Sequence, residues 1–321
     1  MTFSTSLLDI LLYVIFLTCI LFVLLCIVVK KYVQPYPDIY KTKKEESFYD
    51  PVVKKTQKFP SLNDSFSVHL SVVVPAYNEA KRLKPMLDEC LNYLENQKSG
   101  DSFKYEVIIV SDGSTDKTVS IAMQYCEKYG TDKVRVLELE KNRGKGGAVC
   151  LGVQSSRGAL ILFADADGAT KFEDISKLEL AMKLLIKSSN SDGIICGSRA
   201  HLEKEAIANR SFFRNILMHG FHFLVWLTAV RTIKDTQCGF KMFTRRTANK
   251  CFQSLHVQRW AFDVELLYIA EKLEIPTSEV SVRWTEIEGS KLVPVLSWLQ
   301  MGRDLCLIWF KYKIGAWKLK N

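Results

Sequence analysis

Ala159–Ala169, which reads ALILFADADGA, is the stretch on which the fold of this chain turns. The apolar run Leu160–Ala164 predicts a buried strand that stops abruptly at Asp165-Ala-Asp-Gly168. On a continuing strand, side chains two apart would share a face, but Gly168 permits the backbone angles of a tight turn. Two carboxylates just past a strand end can converge on one divalent cation. Hard oxygen donors suit Mg²⁺ or Mn²⁺, and so few protein ligands leave coordination positions for phosphate oxygens. An isolated D-x-D is more often a solvated acidic turn, so the surrounding chain has to decide.

Working outward, strands and helices alternate. His69–Val74 predicts a strand whose ladder Pro75 ends, opening the loop Pro75-Ala-Tyr-Asn-Glu79. Helical spacing follows over Pro85–Gln97, carried by Met86, Leu87, Cys90, Leu91 and Leu94. A second strand, Tyr105–Val110, runs into Ser111-Asp-Gly-Ser-Thr-Asp116 and a helix over Lys117–Tyr129. The third strand, Val134–Leu139, leads to Asn142-Arg-Gly-Lys-Gly-Gly147 and a helix over Gly147–Ser155. Beyond the acidic turn come a helix at Glu173–Lys187 and a buried strand at Gly193–Cys196 that leads into Gly197-Ser-Arg199. This order predicts an α/β fold with a mainly parallel sheet flanked by helices and functional loops at the strands' carboxyl ends. The polar motifs occupy such ends, which lifts the D-x-D above an ordinary turn.

Composition narrows the ligands. The 321 residues carry 44 basic and 35 acidic side chains, a net charge of +9. With 48% hydrophobic residues the chain can bury a sizeable core. The basic excess suits phosphate-bearing ligands or an anionic membrane surface, and the absence of zinc-finger spacing, an RNP-like motif or a long basic arm argues against duplex DNA. The nine cysteines stand singly and read as reduced thiols.

Ile10–Val29 is an uncharged run of 20 residues, long enough to cross a bilayer core. Lys30 and Lys31 follow it directly, and the positive-inside bias puts the remainder on the cytoplasmic side. The expected organisation is an anchor over residues 7–29, a basic linker of little structure over 30–68, a catalytic domain over 69–290 and a membrane-associated amphipathic segment over 291–321. Ile216–Val230 and Leu292–Trp317 are expected to lie against the cytoplasmic leaflet.

A nucleotide-diphosphate sugar needs a wall for its base, positive charge for its diphosphate and an attacking group opposite the leaving group. Pro75, Tyr77, Glu79 and Asp112 are placed to supply the first, and Asp165 and Asp167 with a cation the second. Lys145 and the neighbouring glycines either offer donors to a phosphate or form only a flexible turn.

Taken together, Val74-Pro-Ala-Tyr-Asn-Glu79, Asp112–Asp116, Asn142–Gly147 and Asp165-Ala-Asp167 stand in the order and spacing of the inverting family 2 glycosyltransferases of GT-A (Rossmann-like) fold, which this chain resembles. The downstream segments Gly197–His201, Asp235–Lys241, Arg259–Glu265 and Trp284–Lys291 are similar to those of family members in the endoplasmic reticulum that glucosylate dolichyl phosphate. The resemblance runs from about His69 to Trp317. It implies inverting transfer of glucose from UDP-glucose to dolichyl phosphate, as a glucose donor for N-glycan precursor assembly, by a metal-dependent enzyme facing the cytosol. It also implies that Pro75, Tyr77, Glu79, Asp112 and Lys145 bind the nucleotide, that Asp165 and Asp167 hold Mg²⁺ or Mn²⁺ and the diphosphate, and that Arg199, with Arg210 or Arg214, grips the acceptor phosphate. Asp263 stands where many relatives place a general base; an acceptor phosphate that is already ionised leaves it either that role, a positioning role or an ordinary place at a helix start.

Two positions depart from the family pattern: Ser111 precedes Asp112 where relatives often have a second aspartate, and Ala169 stands where some carry a further metal ligand. Three other readings stay open at this level. One is transfer of mannose from GDP-mannose to the same acceptor. Another is a phosphatase of the haloacid dehalogenase type, which Asp165–Thr170 mimics. The third is a membrane-anchored scaffold without catalysis.

Overall fold

A computed structural model describes residues 7–97, 103–188, 191–202, 220, 233–287 and 294–320. Nine-residue strand β3 (Val68–Ala76) lies in the interior of the domain, and its burial pattern explains why. Val72 and Val74 point to one face and Val73 to the other, and all three are fully buried. A strand apolar on both faces is stable only between two layers of helix.

Those layers are present. The hairpin strands β1 (Ser47–Asp50) and β2 (Lys55–Lys58) precede β3. After it come β4 (Tyr105–Ser111), β5 (Val134–Glu138), β6 (Gly158–Ala164), β7 (Ile194–Ser198), β8 (Phe240–Thr244) and β9 (Thr277–Ser281). The sheet order is β5-β4-β3-β6-β8-β7-β9, with β8 antiparallel to both its neighbours and every other pairing parallel. Helices α2 (Leu83–Glu95), α3 (Thr118–Tyr129) and α5 (Ile175–Leu185) cover one face. Helices α4 (Lys145–Gln154), α6 (Arg245–Phe252) and α7 (Phe262–Lys272) cover the other. From β3 the chain winds one way through β4 and β5 and then returns to place β6 on the opposite side. A crevice opens at such a reversal, outside the carboxyl ends of the strands.

The mainly parallel α/β sheet expected from the sequence is therefore present, with one strand reversed. That reversal brings the amino end of β8 to the same rim as the carboxyl ends of β3, β4 and β6. Asp235–Gly239, just before β8, thereby joins the loops read from the first half of the chain.

The first helix, α1 (Leu7–Tyr32), reaches a mean hydropathy of 3.2 within Asp9–Tyr32, and those 24 residues extend about 36 Å, enough to cross a membrane. The last, α8 (Pro294–Lys313), buries Met301, Leu305 and Ile308 against the domain and leaves Leu307 and Trp309 exposed. Its Phe310 meets Phe22 of α1 edge to face, with ring centroids 6.1 Å apart. Of the two segments expected at the leaflet, Ile216–Val230 lies outside the described residues except for Gly220.

The linker departs from expectation. Rather than a tether of little structure, it forms the β1–β2 hairpin and buries Ile39, Phe48 and Leu62. These apolar residues are too widely spaced to give a periodic signal, yet each reaches the domain. The glycine-rich loop is also shorter than expected, because α4 starts at Lys145 rather than Gly147.

Candidate active site

A cleft of about 450 Å³ opens along the rim and is bordered by Pro75, Tyr77, Glu79, Asp112, Lys145, Asp165, Asp167, Arg199 and Asp263. Nine residues singled out from the sequence thus meet in one place. Arg210 and Arg214 lie outside the described residues.

The left wall is built by two loops laced together. Asn78, with φ +52°, turns the chain after β3. Its side-chain oxygen accepts from the backbone N–H groups of Thr115 (2.8 Å) and Asp116 (3.3 Å), and Ala80 N–H donates back to Asp116 (3.1 Å). Asp112 then fixes the third loop: Oδ1 accepts from Arg143 N–H at 2.7 Å and Oδ2 from Gly144 N–H at 2.9 Å. Gly144 sits at φ +84° against the Gln258 carbonyl, a position that a side chain would strain and overfill. Asp112 therefore shapes this wall of the cleft by holding the loop that carries Lys145. Glu79 is likewise engaged, accepting two hydrogen bonds of 2.7 Å from Arg82.

The floor carries the acidic pair. Asp165 N–H donates to the Gly239 carbonyl (3.1 Å), and a Cβ at Gly239 would collide with the Asp165 carboxylate. The close approach of β8 thus depends on glycine. Asp167 accepts from Ala169 N–H (3.0 Å), which closes the turn beyond β6. Lys145 Nζ lies 2.6 Å from Asp165 Oδ1. Burial pushes the Asp167 carboxyl above its ordinary value, and the charge of Asp165 adds to that shift.

On the right, Asp235 accepts from Arg199 through Nε (2.8 Å), Nη2 (2.9 Å) and the backbone N–H (2.8 Å). The guanidinium also lies over the Trp284 ring, 5.4 Å from its centroid. Beneath them, the fully buried Lys241 donates to Asp263 Oδ1 and the Cys238 carbonyl, both at 2.6 Å. Burial works to discharge this ammonium, but Asp263 beside it together with other close neighbours outweighs burial, so its pKa stands above the ordinary lysine value.

Residues 71–252 match Glycosyl transferase family 2. The chain belongs to that family. It is 65% identical over 289 residues to a Drosophila melanogaster protein named dolichyl-phosphate beta-glucosyltransferase, covering 90% of this chain and 89% of the relative. A Homo sapiens protein of the same name is 60% identical, with 86% of each chain covered. Among solved structures, glucosyl-3-phosphoglycerate synthase from Mycobacterium tuberculosis, in complex with phosphoglyceric acid, superposes with a TM-score of 0.51 at 17% identity. That match covers 78% of this chain and 81% of the synthase and shares the fold.

Membership of family 2 sets aside the phosphatase reading, and the Asp165 turn lies in a cleft that the upstream loops also line. Several cleft residues were not singled out from the sequence. Arg82 and Arg259 add positive charge, Gln237 a polar side chain, and Met301 brings α8 to the rim. Lys241 did leave a signal, a lone cation between Phe240 and Met242 in a strand with no other charge.

The donor set fits a divalent cation. Asp165 and Asp167 offer hard carboxylate oxygens at the same cleft. Among the described residues no group of three or more His, Cys, Asp or Glu forms a complete metal cage. Such a cation would share its coordination with ligand oxygens and water.

Proposed function

We propose that this glycosyltransferase moves glucose from UDP-glucose to dolichyl phosphate with inversion at the anomeric carbon, giving dolichyl β-D-glucosyl phosphate. The reading is carried by one juxtaposition: an acidic pair and Arg199 border the same cleft, in a chain 65% and 60% identical to proteins named dolichyl-phosphate beta-glucosyltransferase. On this reading α1 anchors the protein in the endoplasmic reticulum membrane, the domain faces the cytosol, and α8 lies against the leaflet with Leu307 and Trp309 toward lipid.

Pro75 and Tyr77 receive the uracil, Tyr77 with its ring partly exposed to the cleft. Asp112 orients the loop bearing Lys145, whose ammonium reaches the diphosphate. Asp165 and Asp167 would hold Mg²⁺ or Mn²⁺, which supplies neutralisation of the charge gathering on the departing UDP. Arg199, oriented by Asp235, draws in the acceptor phosphate, with Arg210 and Arg214 as further candidates for that contact.

A phosphate oxygen of the acceptor forms the new bond to the anomeric carbon from the side opposite the diphosphate. The old bond breaks with its electron pair going to UDP. The second ionisation of a phosphate monoester lies near a pKa of about 6, so the nucleophile needs no proton removed. Asp263, held by Lys241, accordingly positions groups at the cleft floor rather than acting as a base.

The test is to supply purified protein in nanodiscs with dolichyl phosphate and either UDP-glucose or GDP-mannose, with and without Mg²⁺ or Mn²⁺. Glucolipid formed from UDP-glucose only with cation is the expected result. Mannolipid instead would overturn the donor, and no glycolipid from either donor would overturn the reaction.

A further inference from the structure

The cleft loop and the segment leaving the membrane are joined by a buried ion pair. Asn142, Gly144 and Lys145 line the cleft, whereas the side chain of Arg143 between them runs to the linker. Nη1 donates to the Tyr40 carbonyl at 2.7 Å and Nη2 to Glu45 Oε2 at 2.6 Å. Glu45 is wholly buried, and its other oxygen accepts from Glu140 N–H at 3.0 Å, just ahead of the same loop. Thr42 N–H donates to Oε2 at 2.9 Å and fixes the carboxylate from the linker side. The backbone N–H of Arg143 meanwhile donates to Asp112.

Attachment of the linker alone does not require this pair. Ile39, Phe48 and Leu62 already bury apolar surface against the domain. Burying two charges is costly, and apolar residues of similar size would serve stability as well or better. What a carboxylate adds is direction, because its two oxygens grasp the chain on both sides of the turn that presents Lys145.

We propose that Glu45 is a positioning residue for nucleotide binding. Through Arg143 it sets the 142–145 loop, so that the membrane-proximal segment and the donor site move as one body. The inference rests on the reading of the cleft as a nucleotide-diphosphate site.

The test uses the full chain in nanodiscs, with Glu45→Gln and Arg143→Lys as variants. Lysine keeps the charge but lacks the planar fork that spans Tyr40 and Glu45. Both variants should raise the KM for UDP-glucose and the Kd for UDP by about 3- to 30-fold, the range of couplings carried through packed networks. The KM for dolichyl phosphate should stay unchanged, and hydrogen exchange over residues 39–47 of the unmodified protein should slow when UDP binds. An unchanged donor KM in a folded variant, equal rises for donor and acceptor, or exchange at 39–47 indifferent to UDP would each overturn the inference. Should the unmodified protein fail to bind UDP at all, the functional reading itself falls; UDP binding without any response in the linker overturns only the role of Glu45.

Discussion

Lys145 Nζ stands 2.6 Å from Asp165 Oδ1, so the first carboxylate of the acidic pair already has a counter-ion within the protein. Lys145 opens α4, and its pKa is set by two opposed effects: burial works to lower it, and Asp165 with Asp263 raises it further than burial takes away. The ammonium therefore remains charged in the cleft. Asp165 would hold a divalent cation in competition with this ion pair, and Lys145 is placed in the same cleft to meet a diphosphate.

Replacing Lys145 by Met is expected to have two opposite effects. Glucolipid formation should fall by about 10²-fold in kcat/KM, the scale of losing one preorganised group facing developing charge. Mn²⁺ binding to the nucleotide-free protein should become tighter, because Asp165 loses its internal partner. Electron paramagnetic resonance of free Mn²⁺ checks the second effect without any turnover. Unaltered Mn²⁺ affinity would mean that the ion pair does not compete with metal.

Asp167→Asn should raise stability while removing activity. Burial, and then repulsion from Asp165, lifts the Asp167 carboxyl above 3.8 in the folded protein. A carboxylate whose folded pKa exceeds its unfolded value opposes folding at pH above both. That penalty shrinks as pH falls through the folded pKa and vanishes below 3.8. The variant's thermal midpoint should therefore exceed that of the unmodified protein at pH 7.5 in metal-free buffer, and the difference should narrow toward pH 4. Transfer should drop by about 10³-fold.

The Lys241–Asp263 pair is expected to behave as a unit. Removing Asp263 strands a fully buried ammonium, and Asp263→Ala should cost about 3–5 kcal/mol of stability. Adding Lys241→Met removes the stranded charge and should recover most of the loss. Urea unfolding of the single and double variants measures this directly. No recovery in the double variant would show that the cleft floor needs the charges themselves.

The sequence made the strand-end loops legible because each combines a periodic apolar run with an abrupt polar or glycine-rich stop, and both signals are local. Pro75, Asp112 and Asp165 could be assigned to one rim on that basis. Pairings across the chain left no such trace. Glu45 meets Arg143 only because the linker folds back on the domain, and Lys241 meets Asp263 only because β8 runs against its neighbours. Asp112 shows the intermediate case: its presence at the site was legible, but its role in holding the Arg143–Gly144 backbone depends on a turn whose shape the sequence does not spell out.

Arg199 separates orientation from attraction. Asp235 engages Nε, Nη2 and the backbone N–H, while the Trp284 ring supports the guanidinium plane. An arginine so fixed can keep one side of its fork on Asp235 and present Nη1 to a phosphate, whereas a lysine ammonium is a single point charge. Arg199→Lys should accordingly raise the KM for dolichyl phosphate by about 10-fold, leaving that for UDP-glucose unchanged. Asp235→Asn keeps the arginine but loosens its aim, so its loss should appear in kcat more than in acceptor KM. If Arg199 served the fold alone, both substitutions would lower the thermal midpoint together and leave the acceptor KM where it was. Initial rates over a matrix of donor and acceptor concentrations, with thermal melts of the same preparations, tell the two cases apart.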